Sequence, residues 1–131
     1  MRKTVESLST WLRRIERWTV LTGAGISADS GIPTYRDQHG KWLRVDPIQH
    51  KEFIESDQKR KRYWARSMVG WPGVEKALPN VHHTALATLE RIGKISTLIT
   101  QNVDRLHQKA GSQRVIDLHG RLDRVVCLSC G

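Results

Sequence analysis

WTVLTGAGISADSGIPTYR, residues 18–36, decides how the rest of the chain is read. Its first five residues, Trp18 to Thr22, are mostly β-branched or apolar and predict a short buried strand. That strand runs straight into Gly23 and Gly25, with Ala28 following, so the stretch fits G-x-G-x-x-G/A directly after a strand. Glycines in that position let a pyrophosphate approach the main chain, whose N–H groups then bond its oxygens. A regular dinucleotide-binding unit would continue into a helix and place an acidic residue at the end of the next strand. Here a polar, Gly-rich segment broken by Pro33 follows instead, a long loop with at most a turn of helix. Loops of that length are uncommon unless functional. Taken alone, the glycines fit a tight strand-to-loop turn equally well.

Upstream, Val5, Leu8, Leu12 and Ile15 recur at helical spacing and predict an amphipathic first helix. Downstream, DPIQHKEFIES and QKRKRYWARSMVGW predict two more helices, stopped by Gly70 and Pro72. After Pro79, Asn80 is placed to cap a helix whose Val81, Ala85, Leu86, Leu89 and Ile92 share a face, and Gly93 ends it. ISTLIT, residues 95–100, is a second apolar strand, followed by QNVD and a short helix, RLHQKAG. RVIDLH and RVVCL are β-rich pieces. Strands separated by helices imply an α/β fold with a parallel sheet, Rossmann-like but with too few strands to be complete.

The chain has 131 residues, enough for one hydrophobic core, with 38% hydrophobic and 27% charged residues. Its 22 Lys and Arg against 13 Asp and Glu give a net charge of +9. That favours anionic partners, whether phosphate-bearing cofactors, nucleic acid or acidic membrane surfaces, without choosing among them. Two cysteines in one C-x-x-C pair are not a secreted disulfide scaffold. MRKTVESLSTWLRRIERW carries no apolar core of a secretory signal, and no apolar run is long enough to span a bilayer. A soluble intracellular protein is expected.

Gln101, Asn102 and Asp104 follow a strand at the end where open α/β sheets bind ligands, although a polar loop with Asp104 as helix cap has the same pattern. His119 precedes Gly120, and imidazole titrates close to neutral pH, as a general base should. Cys127 and Cys130 have the spacing of half a tetrahedral zinc site. The other five histidines are read as structural or solvated.

LTGAGISADSGIPTYR, TQNVDRLHQKAG, DLHG and CLSCG, in this order, resemble the sirtuins, the NAD-dependent protein deacylases, over essentially the whole chain. The tract DPIQHKEF…RYWARSMVGWP…PN further resembles the class II sirtuins. The resemblance implies a partial catalytic domain over 1–131, its NAD-binding part at 18–118 with a helical insertion at about 47–92. Residues 119–131 would hold the catalytic His and the start of a zinc-ribbon small domain. Gly23, Ala24, Gly25, Tyr35 and Arg36 would bind NAD, and Gln101, Asn102 and Asp104 would line the nicotinamide and ribose pocket. Thr34 stands where the family form has Asp, a departure that leaves the backbone cradle intact. His119 would be the general base for a ribose hydroxyl, and the products would be free lysine, nicotinamide and O-acyl-ADP-ribose. Cys127 and Cys130 would supply two of the four ligands of one structural zinc, the chain being the N-terminal portion of such an enzyme.

Acyl-lysine proteins would be the substrates, and the location the cytoplasm of a bacterium or the mitochondrial matrix of a eukaryote. Lipoamidase or mono-ADP-ribosyltransferase action would be variants of the same chemistry. Tyr63 and Arg66, one helical turn apart in YWAR, would read acidic acyl groups if they act as in class III sirtuins. The plainer reading is a helix on which Tyr63 packs and Arg66 is solvated. The run Lys59 to Arg62 is the wet face of that helix rather than a nucleic-acid patch. Two alternatives of other classes are a basic zinc- or nucleic-acid-binding module and an inactive fragment. The glycine loop, Q-N-V-D and H-G disfavour the module, which needs none of them.

Overall fold

A computed structural model describes residues 9–10, 12–37, 39–41, 43 and 47–131. Three parallel strands, β1 (Trp18–Thr22), β2 (Ile95–Thr100) and β3 (Val115–Asp117), form one sheet in the order β1-β2-β3. A 3₁₀ helix, Ala24–Ser30, follows β1. Four α-helices follow in chain order: α1 (His50–Glu55), α2 (Asp57–Lys76), α3 (Val81–Arg91) and α4 (Leu106–Lys109). The register sets Thr22 beside Thr100 and Thr100 beside Asp117. All three strands therefore end level, and the loops after them share one carboxyl edge.

The expected α/β architecture with a parallel sheet is what forms. Several local readings change. Of the first predicted helix, Val5 and Leu8 lie outside the described residues, while residues 12–14 are helical. β1 is not buried throughout: Thr19 and Leu21 face outward, Leu21 at 63% exposure. The loop after β1 winds seven residues into the 3₁₀ helix, more than the single turn expected. The segment 124–128 adds no strand.

α2 does not stop at Gly70 or Pro72 but continues to Lys76. Proline removes one backbone donor yet holds a φ that a helix accepts. Beyond it, Lys109 Nζ donates to the carbonyls of Glu75 and Ala77 at 3.0 and 3.3 Å, holding the last turn.

Asn80 does cap α3, its side-chain oxygen accepting from His82 N and His83 N. At the other end Gly93 takes φ +80, and Lys94 N reaches Leu89 O while Gly93 N reaches Glu90 O, the paired bonds that close a helix. The buried face, however, is only in part the predicted apolar one. Val81 and Ile92 are exposed, at 73% and 64%, whereas Leu86 and Leu89 of the predicted face turn inward together with Ala87 and the buried His83 and Glu90. His83 and Glu90 lie two turns apart on one side of the helix, so the periodicity of apolar residues alone misplaced the stripe in part. Polar partners explain the outcome. The Glu90 carboxylate accepts from Gln113 N and Arg114 N at 3.1 and 2.7 Å, which fixes the entry to β3.

The fully buried apolar side chains centre on β2: Ile95 and Leu98, with Leu106 of α4, all at 0% exposure. No helix of the described residues is long and apolar enough to cross a membrane.

Candidate functional site

The carboxyl edge of the sheet gathers most of the predicted residues. Gly23 leaves β1 with an extended backbone and opens the 3₁₀ helix. A Cβ added to it would lie 4.0 Å from Gln101 Oε1, so the glycine loop and the loop after β2 face each other. A Cβ on Gly25 would meet no protein atom within 4 Å, and Gly25 has no positive φ. Neither packing nor backbone strain within this chain therefore requires a glycine there.

Beneath the loop lies a buried polar cluster. Ser27 Oγ donates to Asp104 Oδ2 at 2.7 Å and accepts from Asn102 Nδ2 at 3.0 Å. Asp104 Oδ1 accepts from Leu106 N at 2.9 Å. Asp104 thus serves the first helical N–H of α4, as a cap would, although Arg105 separates it from the helix. Arg105 makes that turn with φ +65, and its guanidinium pairs with the Asp117 carboxylate at the end of β3. Gln108 Nε2 bonds the other Asp117 oxygen at 3.1 Å.

His119 follows β3, is exposed, and has Nδ1 3.0 Å from the carbonyl oxygen of Gln101. A carbonyl only accepts, so Nδ1 carries the proton and Nε2 keeps its lone pair. That tautomer leaves Nε2 able to take a proton. Gly120, next in the chain, has φ +75, a conformation that a residue with a side chain resists, and it turns the chain away behind the imidazole.

Other predicted residues stand apart. Tyr35 and Arg36 are exposed on the loop beyond the 3₁₀ helix, where Leu43 N donates to Tyr35 O and Arg36 Nη1 to Gly40 O. Tyr63 packs edge-on against Phe53 and Trp64, with ring centroids 5.0 and 5.5 Å away, while Arg66 is exposed. Within the basic run, Lys59 bonds Glu52, Lys61 bonds Asp57, and Arg60 donates to the carbonyls of Phe53 and Ile54. Lys59 and Arg60 serve the α1–α2 junction, and Lys61 pairs within α2.

Cys127 and Cys130 are free, exposed thiols on one turn, closed by Gly131 N to Cys127 O at 3.0 Å. The backbone N–H groups of Ser129 and Cys130 lower the Cys127 thiol below its ordinary range. Two thiols on a turn with amides aimed at sulfur suit half of a zinc knuckle. Among the described residues no cluster of three or more potential metal ligands forms.

Four site residues escaped the sequence reading: Ser27, Thr22, Thr100 and His107. Thr22 and Thr100 were visible in one respect, since each is the last residue of its strand and each precedes a predicted ligand-binding loop. His107 is 1% exposed, with Nε2 2.9 Å from Thr22 Oγ1 and its ring 4.9 Å from that of His83. Burial, then the neighbouring His83, depresses its pKa to about 4 against the opposing pull of Asp104 and Asp117. Burial lowers His83 as well. Both rings are buried, and His107 is tied into the site through Thr22.

An open parallel α/β sheet with a buried polar cluster at its carboxyl edge is the class of protein these features define. Residues 23–131 match the Sir2 family. The chain is 54% identical over 126 residues to NAD-dependent protein deacetylase 2 of Bradyrhizobium diazoefficiens, covering 96% of this chain and 46% of that protein. It is 56% identical over 128 residues to the NAD-dependent protein deacetylase of Xanthomonas campestris pv. campestris (strain B100), covering 98% and 44%. A solved Sir2 homologue mutant in complex with 2′-O-acetyl ADP ribose superimposes with a TM-score of 0.81 at 42% identity, covering 95% of this chain and 50% of that one. A Sir2 complex with a p53 peptide and NAD+ gives 0.79 at 36% identity, covering 95% and 49%. The chain belongs to the Sir2 family. It spans about half the length of the curated relatives it matches.

Proposed function

We propose that this chain carries the catalytic residues of an NAD-dependent protein-lysine deacylase. One observation carries the reading: the three parallel strands deliver the Gly23–Gly25 loop, Gln101 and His119 to a single edge, over buried Ser27, Asn102 and Asp104. The relatives' names and the titles of the solved complexes support the same chemistry.

The residues present fit NAD. Gly23, Ala24 and Gly25 offer backbone without side chains in the way, and Gly25 is a glycine that no contact within the chain explains. Asn102 and Asp104 would hold the nicotinamide and ribose side, locked in orientation by Ser27. NAD, when bound, supplies an activated sugar carbon that accepts the acyl oxygen of a modified lysine. His119 would take a proton at Nε2, its ring fixed by the Gln101 carbonyl at Nδ1. Tyr35 and Arg36 would join the cofactor from their exposed loop, where a guanidinium suits phosphate. Cys127 and Cys130 would contribute half of a structural zinc site.

Acyl-peptide turnover by the full chain with and without NAD tests the reading. Turnover and nicotinamide release should both require NAD and should both be lost in His119→Ala. Turnover independent of NAD, or undiminished in that variant, would sink the proposal. Salt-sensitive DNA binding with no NAD dependence would point to the basic module instead.

A further inference from the structure

Hydrogen bonds at the carboxyl edge, buried around Ser27, Asn102 and Asp104 and half-buried at Thr22, close into a ring. Leu106 N donates to Asp104, Ser27 bridges Asp104 and Asn102, and Asn102 N donates to Thr100 Oγ1 at 3.1 Å. Thr22 Oγ1 donates to Thr100 Oγ1 at 2.9 Å and lies 2.9 Å from His107 Nε2, and His107 is the residue after Leu106. The ring therefore passes from α4 through the loop after β2, the 3₁₀ helix and the ends of β2 and β1, then back to α4.

The proton positions follow from counting. A threonine hydroxyl has one proton, and that of Thr22 goes to Thr100. His107 Nε2 must then be the donor to Thr22. Nδ1 is buried without a partner, which a bare lone pair tolerates better than an N–H would. One tautomer of neutral His107 closes the ring, and Thr22 is the residue immediately before Gly23.

We propose that His107 is a positioning residue for the glycine loop, acting through the Thr22 hydroxyl to hold Gly23–Gly25 against Gln101 and Asn102. The consequence for catalysis rests on the NAD reading above; the consequence for the loop does not. His107 touches no reacting atom. Its effect falls on the geometry with which the loop meets a dinucleotide, so it belongs to the NAD KM rather than to peptide binding.

Thr22→Val removes the hydroxyl at nearly constant shape, His107→Leu removes the donor, and His107→Gln returns an N–H near the position of Nε2. In the full chain, Thr22→Val and His107→Leu should raise the NAD KM about tenfold, the loss of one half-buried hydrogen bond. The peptide KM should stay within about twofold, and His107→Gln should recover most of the NAD KM. Backbone amide exchange supplies the arm that needs no NAD: residues 24–30 should exchange faster in Thr22→Val while 95–100 keep their protection. If wild-type protein fails to bind NAD by calorimetry but the loop exchanges faster in Thr22→Val, the deacylase reading falls and the positioning role stands. Unchanged exchange of 24–30 overturns the proposal whatever NAD does. So does an equal rise in NAD and peptide KM. Should His107→Leu fail to fold, Thr22→Val and His107→Gln decide the matter alone.

Discussion

His107 makes the stability of this domain depend on pH above the range where carboxylates titrate. Its side chain is 1% exposed, its Nδ1 has no partner, and the His83 ring stands 4.9 Å away. Burial and that neighbour depress its pKa from 6.5 to about 4, against Asp104 and Asp117, which face it and favour the charged form. The unfolded chain therefore takes up the proton first as the pH falls. The stabilising contribution is complete above 6.5 and is lost as the pH drops towards about 4. At about 1.4 kcal/mol per pH unit, the whole contribution is about 3 kcal/mol, a large share of the 5–15 kcal/mol typical of a domain. Most of it should be gone by about pH 4.5. Urea unfolding of the full chain and of His107→Gln at pH 7 and pH 4.5 measures the difference. The wild type should lose about 2–3 kcal/mol more than the variant between those two values. Equal losses would refute the assignment of a buried, neutral His107. A larger loss in the variant would mean that the imidazole is charged in the folded state.

Three other substitutions have outcomes fixed by the geometry. Glu90→Ala leaves Gln113 N and Arg114 N without their carboxylate, and should cost about 2–4 kcal/mol of unfolding free energy in urea. Pro72→Ala should stabilise the chain by about 1–3 kcal/mol, since Pro72 lies inside α2 and withholds a helical hydrogen bond; a drop in Tm would contradict that placement. Gly25→Ala should leave Tm within about 1 °C of wild type, because the added Cβ meets nothing within 4 Å, yet weaken NAD binding at least about tenfold by calorimetry.

The sheet was legible because its signals were redundant. WTVLT and ISTLIT are short β-rich runs, each ends in Thr, and each is followed by a loop whose composition alone marks it. Asn80 and Gly93 bracketed α3 correctly for the same reason: caps depend on the chemistry of one residue and its immediate neighbours. What failed was whatever depends on partners distant in sequence. The inward face of α3 is set by Glu90 meeting the amides of residues 113 and 114 and by His83 meeting His107, neither of which appears in a helical pattern of apolar residues. The continuation of α2 past Pro72 involves the Lys109 ammonium, 33 positions beyond Lys76, where the helix ends. Within the site, Asn102, Asp104 and His119 were readable as motif residues. Ser27, Thr22 and Thr100 were not, because their role lies in bonding one another and the motif residues.

Those residues also change what it means for this fold to have a core. Among the described residues, buried hydrophobic side chains are four, Ala77, Ile95, Leu98 and Leu106, against eight buried polar or charged ones. Four of the eight, Ser27, Thr100, Asn102 and Asp104, meet beneath the glycine loop, and His107 joins them through Thr22. A hydrophobic interior tolerates the loss of one contact by partial collapse, whereas a closed hydrogen-bond circuit leaves an unsatisfied group at each break. Stability and the geometry of the pocket are therefore set by the same bonds. Such a circuit costs apolar burial at the centre of the sheet, and in return it fixes the direction of Asn102 and Asp104 before anything binds.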